Sequence, residues 1–568
     1  MENKNIAITI LIVALVASGI GNIILALIQD PVPPPDTSDY LVCATSYGPD
    51  TLEPVDCWDS ASNDVLEQVV ETLFYYDLTD TDLPRINLLA YSYYWTDTTH
   101  LQIQLREGIH FHDGTPFNAA AAKWNLDRLL CLTNCSGTNP STVAQTQSLL
   151  MFPDGETPIM DTITTVGEYN ITITLNDPYG PLLNTLAYIN AGMISPTAHA
   201  TDATEFIDLT TGHPIGTGPF KYVRYVPGVE VRFVRNDAYW MEPANFPGVI
   251  FALYRDVTTA HDAFISHDVD LNRMPADQNL ATYEADPKLE VYRFTEHTGK
   301  PSLAYYYLGF NNKKYNVTWR KALSYAINYT YIIEELREGE AVRANSPISP
   351  GFGSSYNSSS RAADYNITKA REMMVSMGFG DMGWNDTQWI TVAESGSPFR
   401  SVYFFINTGN IFRENLFVAL FNWFKLIGVE MSETILNPWG DPFWFLYFVY
   451  DDLDLYTTGW GPDYLDPFNM LDPLFNPESS SNSAQVDDAH LNALMASALA
   501  ETDEGPRNII YQNIQGYLAR MQFHAPLYHS KVLYTHTSNL YNIPYNAMGA
   551  LRIYPVYRGL EAPFAPTP

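Results

Sequence analysis

The stretch Pro214–Trp240, PIGTGPFKYVRYVPGVEVRFVRNDAYW, constrains the fold more than any other. KYVRYV and VEVRFVR are β-branched and aromatic runs, with the turn pair Pro227-Gly228 between them. That pattern predicts a β-hairpin. Gly216, Gly218 and Pro219 mark a tight bend that delivers the chain into the first strand. Asn236-Asp-Ala-Tyr-Trp240 ends the second strand.

The chain has 568 residues, enough for three or four domain-sized units. Its 38 tyrosines suit clefts for polar ligands, each offering a flat apolar face and a hydroxyl, although Tyr also fills cores and strands. Charge is lopsided: 31 Lys and Arg against 64 Asp and Glu give −33. Such a surface repels phosphate backbones, so nucleic acid is excluded as a partner.

Ile6–Ile28 is an apolar run long enough to span a bilayer, and longer than a secretory signal core. It predicts an N-terminal transmembrane helix, with 1–28 as anchor or signal and 29–39 as a Pro-rich linker. Lys4 precedes the run while Asp30, Asp36 and Asp39 follow it, which puts the body outside, tethered to the cytoplasmic membrane. Cysteines fall into local pairs, Cys43/Cys57 and Cys131/Cys135, and in an exported chain each pair is an expected disulfide. Neither has the C-x2-C spacing of a zinc site. N-x-[ST] acceptors at Asn134, Asn170, Asn316, Asn328, Asn357, Asn366 and Asn385 suit a glycosylated surface protein.

Along the body, LVCATSY is a strand followed by GPDTLEP, and apolar spacing predicts a helix over 62–75. Arg106-Glu-Gly-Ile-His-Phe-His-Asp-Gly-Thr-Pro-Phe-Asn118 leads into a helix from Ala119, with Asn118 as its cap. YYYLGFNN at 305–312 is a strand, and WRKALSYAIN from Trp319 lies on a helix. Asp454–Pro467 reads DLYTTGWGPDYLDP. In order and spacing these segments, with GTGPF and RNDAYW, resemble the dipeptide/oligopeptide-binding family of ABC-importer substrate-binding proteins, family 5.

The resemblance implies an α/β, two-lobed periplasmic-binding-protein-like fold (cluster C type) with an extra subdomain. Lobe I would hold 40–78 with 196–297 and 526–568, subdomain II 79–195, and lobe III 298–525. Two crossings between lobes make a hinge around a ligand cleft. It also implies a monomer that hands a peptide ligand to the transmembrane subunits of an ABC permease.

His110-x-His112-Asp113 has the look of a metal cluster, yet its Asp-Gly makes a turn and relatives carry other residues at both His positions, so no metal is expected. Glu296-His297 and Asp451-Asp452 could do acid–base work, but nothing brings a reacting group to them. No nucleotide-loop, zinc-protease or nucleophile-elbow signature occurs, and neither an enzyme nor a cofactor is expected.

The candidate site is Gly459–Pro467. Gly459 lets backbone approach a ligand, Trp460 and Tyr464 supply walls, and Asp463 supplies an acid. In peptide-binding relatives the matching Asp receives the ligand's α-ammonium group. A carboxylate taken out of water needs such a cation. The alternative is an Asp that caps its own turn. Tyr47, Gly48 and Tyr528 are candidates for the facing wall from matching positions alone. Thr457 and Thr458 stand where some relatives carry a basic residue for the peptide carboxylate. Other readings keep the fold but bind an oligosaccharide or other small solute, or make the chain a surface ligand-binding protein without a permease.

Overall fold

The computed structural model describes residues 38–139, 143–200, 203–407, 410–436 and 453–559. The expected anchor over 1–28, most of the linker, and Asp451-Asp452 lie outside them. No helix among the described residues is long and apolar enough to cross a membrane.

The predicted hairpin forms as strands Phe220–Val226 and Glu230–Arg235, paired antiparallel. Pro227 takes the second turn position, Gly228 the left-handed third (φ +72°), and Val229 N–H closes on Val226 O at 3.0 Å. Phe220, Val231 and Phe233 point into the core, where Phe233 meets Phe251 edge-on at 5.2 Å.

The glycines before the hairpin let it cross another segment of backbone. A Cβ on Gly216 would lie 2.2 Å from the Val69 carbonyl oxygen, and one on Gly218 2.7 Å from the Val69 carbonyl carbon. This contact is hydrogen-bonded: Gly218 N–H donates to Val69 O at 2.9 Å and Phe220 N–H to Gln68 O at 3.1 Å. Glu71, beside the crossing, accepts from Thr217 Oγ1, Tyr239 OH, Trp240 Nε1 and Arg552 Nη2 at 2.6–3.1 Å. Both ends of the hairpin segment are thereby fastened to 68–71.

The crossing also corrects the helix expected over 62–75. The helix is Ser60–Leu66, capped by Asp59, and Phe74–Tyr76 is a strand. Val69, Val70 and Leu73 are buried, as their spacing implied, but in turning and extended chain, where the carbonyls of Gln68 and Val69 serve the hairpin.

Three larger sheets organise the described residues. One has seven strands in the order Leu289–Tyr292, Tyr534–Thr537, Leu271–Asn272, Leu41–Thr45, Gly248–Leu253, Glu230–Arg235, Phe220–Val226. A second has six, in the order Ala341–Arg343, His524–Ser530, Tyr305–Phe310, Leu455–Trp460, Arg400–Asn407, Val429–Leu436. The third is a four-stranded antiparallel sheet of Ala90–Trp95, His100–Leu105, Asn170–Leu175 and Met160–Thr165, packed against the helix Ala119–Leu132. Asn118 caps that helix through Ala121 N–H at 3.0 Å. The chain passes from the first sheet to the second between Tyr292 and Tyr305, and returns between Ser530 and Tyr534. The return therefore comes later than the expected boundary at 526.

The expected disulfides do not form: all four cysteines are free. Cys43 sits mid-strand, flanked by Phe251 and Leu271 on the neighbouring strands, so its side chain is committed to the sheet face. Cys57 follows a short 3-10 turn and aims its thiol at Asp59 O. Cys131 is in the last turn of its helix and accepts from Thr138 Oγ1, whereas Cys135 turns toward Met151 Sδ at 3.8 Å. Among the N-x-[ST] asparagines, Asn316, Asn328, Asn366 and Asn385 all cap helices.

Candidate functional site

Strand Leu455–Trp460 lies inside the six-stranded sheet, and its register decides what each residue can face. Trp460 pairs with Tyr305, and Gly459 with Tyr306. Alternation then puts Trp460, Thr458 and Tyr305 on one face and Gly459, Thr457 and Tyr306 on the other. The space above Gly459 is taken by the Tyr306 ring, since a Cβ there would lie 2.7 Å from Tyr306 Cε1. Gly459 thus makes room for a ring of its own sheet.

Past the strand, 461–467 loops into the helix Phe468–Phe475, and Asn469 in its first turn organises the loop. Asn469 O accepts from Trp460 Nε1 at 2.9 Å. Its side chain grips Asp463 twice: Oδ1 accepts from Asp463 N–H at 2.7 Å, and Nδ2 donates to Asp463 Oδ2 at 3.0 Å. Asp463 is half-buried, and no Lys or Arg pairs with it among the described residues. Desolvation pushes its carboxyl up to about 6, against the opposing hydrogen bond from Asn469. Burial likewise pushes the nearby Asp472 up to about 7. Asn469 was not singled out from sequence. The signal was there in hindsight, as a polar residue six positions after the Asp at a helix start.

The loop is clamped by residues far away in sequence. Leu465 N–H donates to Tyr76 OH at 3.1 Å, and the hydroxyls of Tyr464 and Tyr179 lie 3.2 Å apart. Asp466 is 1% exposed. It accepts from Tyr511 OH at 2.7 Å, from Arg507 Nη2 at 3.4 Å and from Asn184 Nδ2 at 3.1 Å. Arg85 ties the same patch outward, to Asn184 Oδ1 at 2.8 Å and to Glu504 at 2.9 Å. Tyr188 shares a core cluster with Tyr464, its hydroxyl donating to Cys57 O at 2.9 Å. Burial drives that phenol well above its ordinary value, with Cys57 and Asp463 adding to the effect.

Of the expected residues, Trp460, Asp463 and Tyr464 come together. Tyr464 is buried in one core cluster with Cys57, Tyr188 and Ile189, and acts as a plug more than an open wall. Tyr47 is 77% exposed, and Gly48 lies against the Tyr225 ring. Neither makes a hydrogen bond or ring contact with the loop. Tyr528 is on the other sheet face from Trp460: it stacks on Tyr306 at 4.6 Å, meets Phe412 edge-on at 5.6 Å and lies 5.2 Å under Arg337. It belongs to the core of the second lobe. Thr457 Oγ1 donates to Tyr307 O.

The two histidines of the 110–113 segment part company. His112 Nε2 donates to Gly218 O at 2.9 Å, and burial pushes the ring down to about 4, so it is a neutral structural group. His110 reaches only Gly108 O. No group of three metal-ligating side chains occurs among the described residues.

Residues 86–482 match the family model described as bacterial extracellular solute-binding proteins, family 5 Middle. The glutathione-binding protein GsiB of Pectobacterium atrosepticum is 27% identical, over 82% of this chain and 84% of its own. Heme-binding protein A of Haemophilus influenzae is 26% identical over 75% of each. The periplasmic binding protein DppA of Helicobacter pylori, solved with the peptide STSA, superposes with a TM-score of 0.73 at 19% identity, covering 92% of this chain and 98% of that one.

Proposed function

This chain belongs to the bacterial extracellular solute-binding proteins of family 5, and from that premise we propose that it captures peptides by their α-ammonium end at Asp463 and delivers them to the membrane subunits of an ABC importer. The observation that carries the reading is a half-buried carboxyl, held in place by Asn469, with no cation beside it among the described residues. A buried carboxylate is costly unless a cation offsets it, and a peptide N-terminus is such a cation. Trp460 then walls the ligand. The apolar run Ile6–Ile28 is the proposed tether.

Closure supplies the mechanism. A ligand shifts the lobes toward the closed state only through contacts that this state alone offers. The 463–466 loop is where such contacts would form: it is bonded to Tyr76, Tyr179 and Asn184, so a ligand held at Asp463 would touch both sides of the cleft at once.

The test begins with the ligand retained through native purification, read by mass spectrometry, followed by calorimetric titration of a peptide and its N-acetylated form. Acetylation removes the charge and is expected to weaken binding by about tenfold or more. Equal affinities, or a heme or glycan in place of a peptide, would reject the reading.

Affinity should also follow pH. The free protein's Asp463 titrates at about 6, and an ammonium partner lowers that value in the complex. Binding therefore releases a proton below about pH 6, and affinity falls as pH drops through that value, holds between about pH 7 and the ligand amine's own value, and falls again above it as the amine loses its charge. The ligand's amine, with an ordinary value of about 8, stays protonated throughout the fall on the acid side. Affinity unchanged between about pH 7 and 5 would remove Asp463 from the ligand contact.

A further inference from the structure

A cavity of about 310 Å³ lies among the segments 75–88, Trp240-Met241 and 544–555 and is lined by no residue of the Asp463 loop. Its volume sits at the small end of organic-ligand pockets, roughly 300–1,000 Å³. Most of its lining is apolar, and the rings of Tyr75, Tyr76, Trp240 and Tyr554 supply flat walls. Two charged groups there bear on the ligand: Asp77, whose Oδ1 is taken by Thr79 N–H and Oγ1, and Arg106. Arg106 donates Nε to Leu88 O at 2.7 Å and Nη2 to Asn87 O at 3.2 Å, and its guanidinium lies 5.5 Å from the Trp240 ring centre. No carboxylate pairs with it among the described residues, although the chain carries twice as many acids as bases. Among the described residues Nη1 has no hydrogen-bond partner. The other arginine of the lining, Arg552, is already engaged by Glu71.

We propose that this cavity is a second ligand site, for a small aromatic monocarboxylate whose ring lies among the tyrosines and Trp240 and whose carboxylate meets the free edge of Arg106. Aromatic faces favour a planar apolar body, and a guanidinium with an open edge favours a carboxylate. The site does not depend on what the Asp463 cleft binds. The two share one residue: the Tyr76 ring lines the cavity while its hydroxyl holds Leu465 N–H.

Phenylacetate is a suitable probe, with phenylacetamide as its neutral twin, each titrated into the whole protein by calorimetry and ligand-observed NMR. Phenylacetate should bind saturably with a dissociation constant below about 1 mM, and the amide about tenfold more weakly. Thr79 is exposed at the cavity mouth and Ile86 lines its wall. Thr79→Trp and Ile86→Trp should each weaken phenylacetate by about tenfold or more by filling space. Thr79→Trp should leave peptide binding as it was, and Asp463→Asn should leave phenylacetate binding as it was. The proposal is overturned by absent saturation at about 10 mM, by equal binding of the amide, or by full binding in both tryptophan variants. Loss of phenylacetate binding in Asp463→Asn would place the probe in the inter-lobe cleft and overturn it too.

Discussion

Arg128→Met is expected to cost about 3–5 kcal/mol of stability, the usual result of breaking a buried ion pair from one side. Arg128 grips Glu53 through both ends of its guanidinium, at 2.7 and 2.6 Å, and donates to Glu205 O at 3.0 Å. The side chains are 2% and 0% exposed. Glu53 also accepts from Val55 N–H and Ile207 N–H. The pair therefore joins the helix Ala119–Leu132 to the turn after the first strand and to the segment around Ile207. Removing the arginine strands a charge that water cannot reach. Denaturant unfolding would measure the loss. The double variant with Glu53→Gln should recover part of it, because an amide keeps an acceptor for a backbone N–H without the charge. A loss under about 1 kcal/mol for the single change would mean that water enters the site, and the pair would then count as a surface bridge.

Asp463→Asn is expected to weaken peptide binding by roughly 2–5 kcal/mol, the cost of truncating one side of a buried charged hydrogen bond. Asn469 can still donate to the new amide oxygen, so the loop should keep its shape. The amide nitrogen is then turned toward the ligand, where its protons face an ammonium group. Acetylating the peptide removes the same contact from the other side. The two losses should therefore not add, and a double-mutant-style cycle with both peptides reads this directly. Full additivity, or an unchanged affinity with the fold intact, would reduce Asp463 to a member of the Asn469 turn.

Much of this was legible in the chain, for identifiable reasons. The hairpin could be read because its signals are local: alternating β-branched residues around Pro227-Gly228. The Asp463 loop could be read because its motif is contiguous. What failed depended on partners distant in sequence. Val69 and Val70 carry a helical apolar pattern, yet Gly216 and Gly218 cross over them, and Gly218 N–H takes the Val69 carbonyl. Tyr528 is aromatic and close to the last crossing, but only the strand register shows it on the face opposite Trp460. Cysteine pairing was argued from separation along the chain, whereas side-chain direction within a strand or helix decides whether sulfurs can meet.

The strand order has a consequence for how the protein is made. Tyr534–Thr537 is inserted between Leu289–Tyr292 and Leu271–Asn272 in one sheet, and His524–Ser530 between Ala341–Arg343 and Tyr305–Phe310 in the other. Each sheet therefore has a gap that only the last part of the chain can fill. During vectorial synthesis neither lobe can be finished early, although an N-terminal domain usually folds first. The nascent chain stays unfinished, with unpaired strand edges, until residues 524–537 have emerged. For a protein destined for the far side of a membrane that delay is useful, because threading through a translocation pore needs an unfolded chain. The same delay makes premature termination costly, since a product lacking the last 45 residues loses an interior strand from both sheets at once.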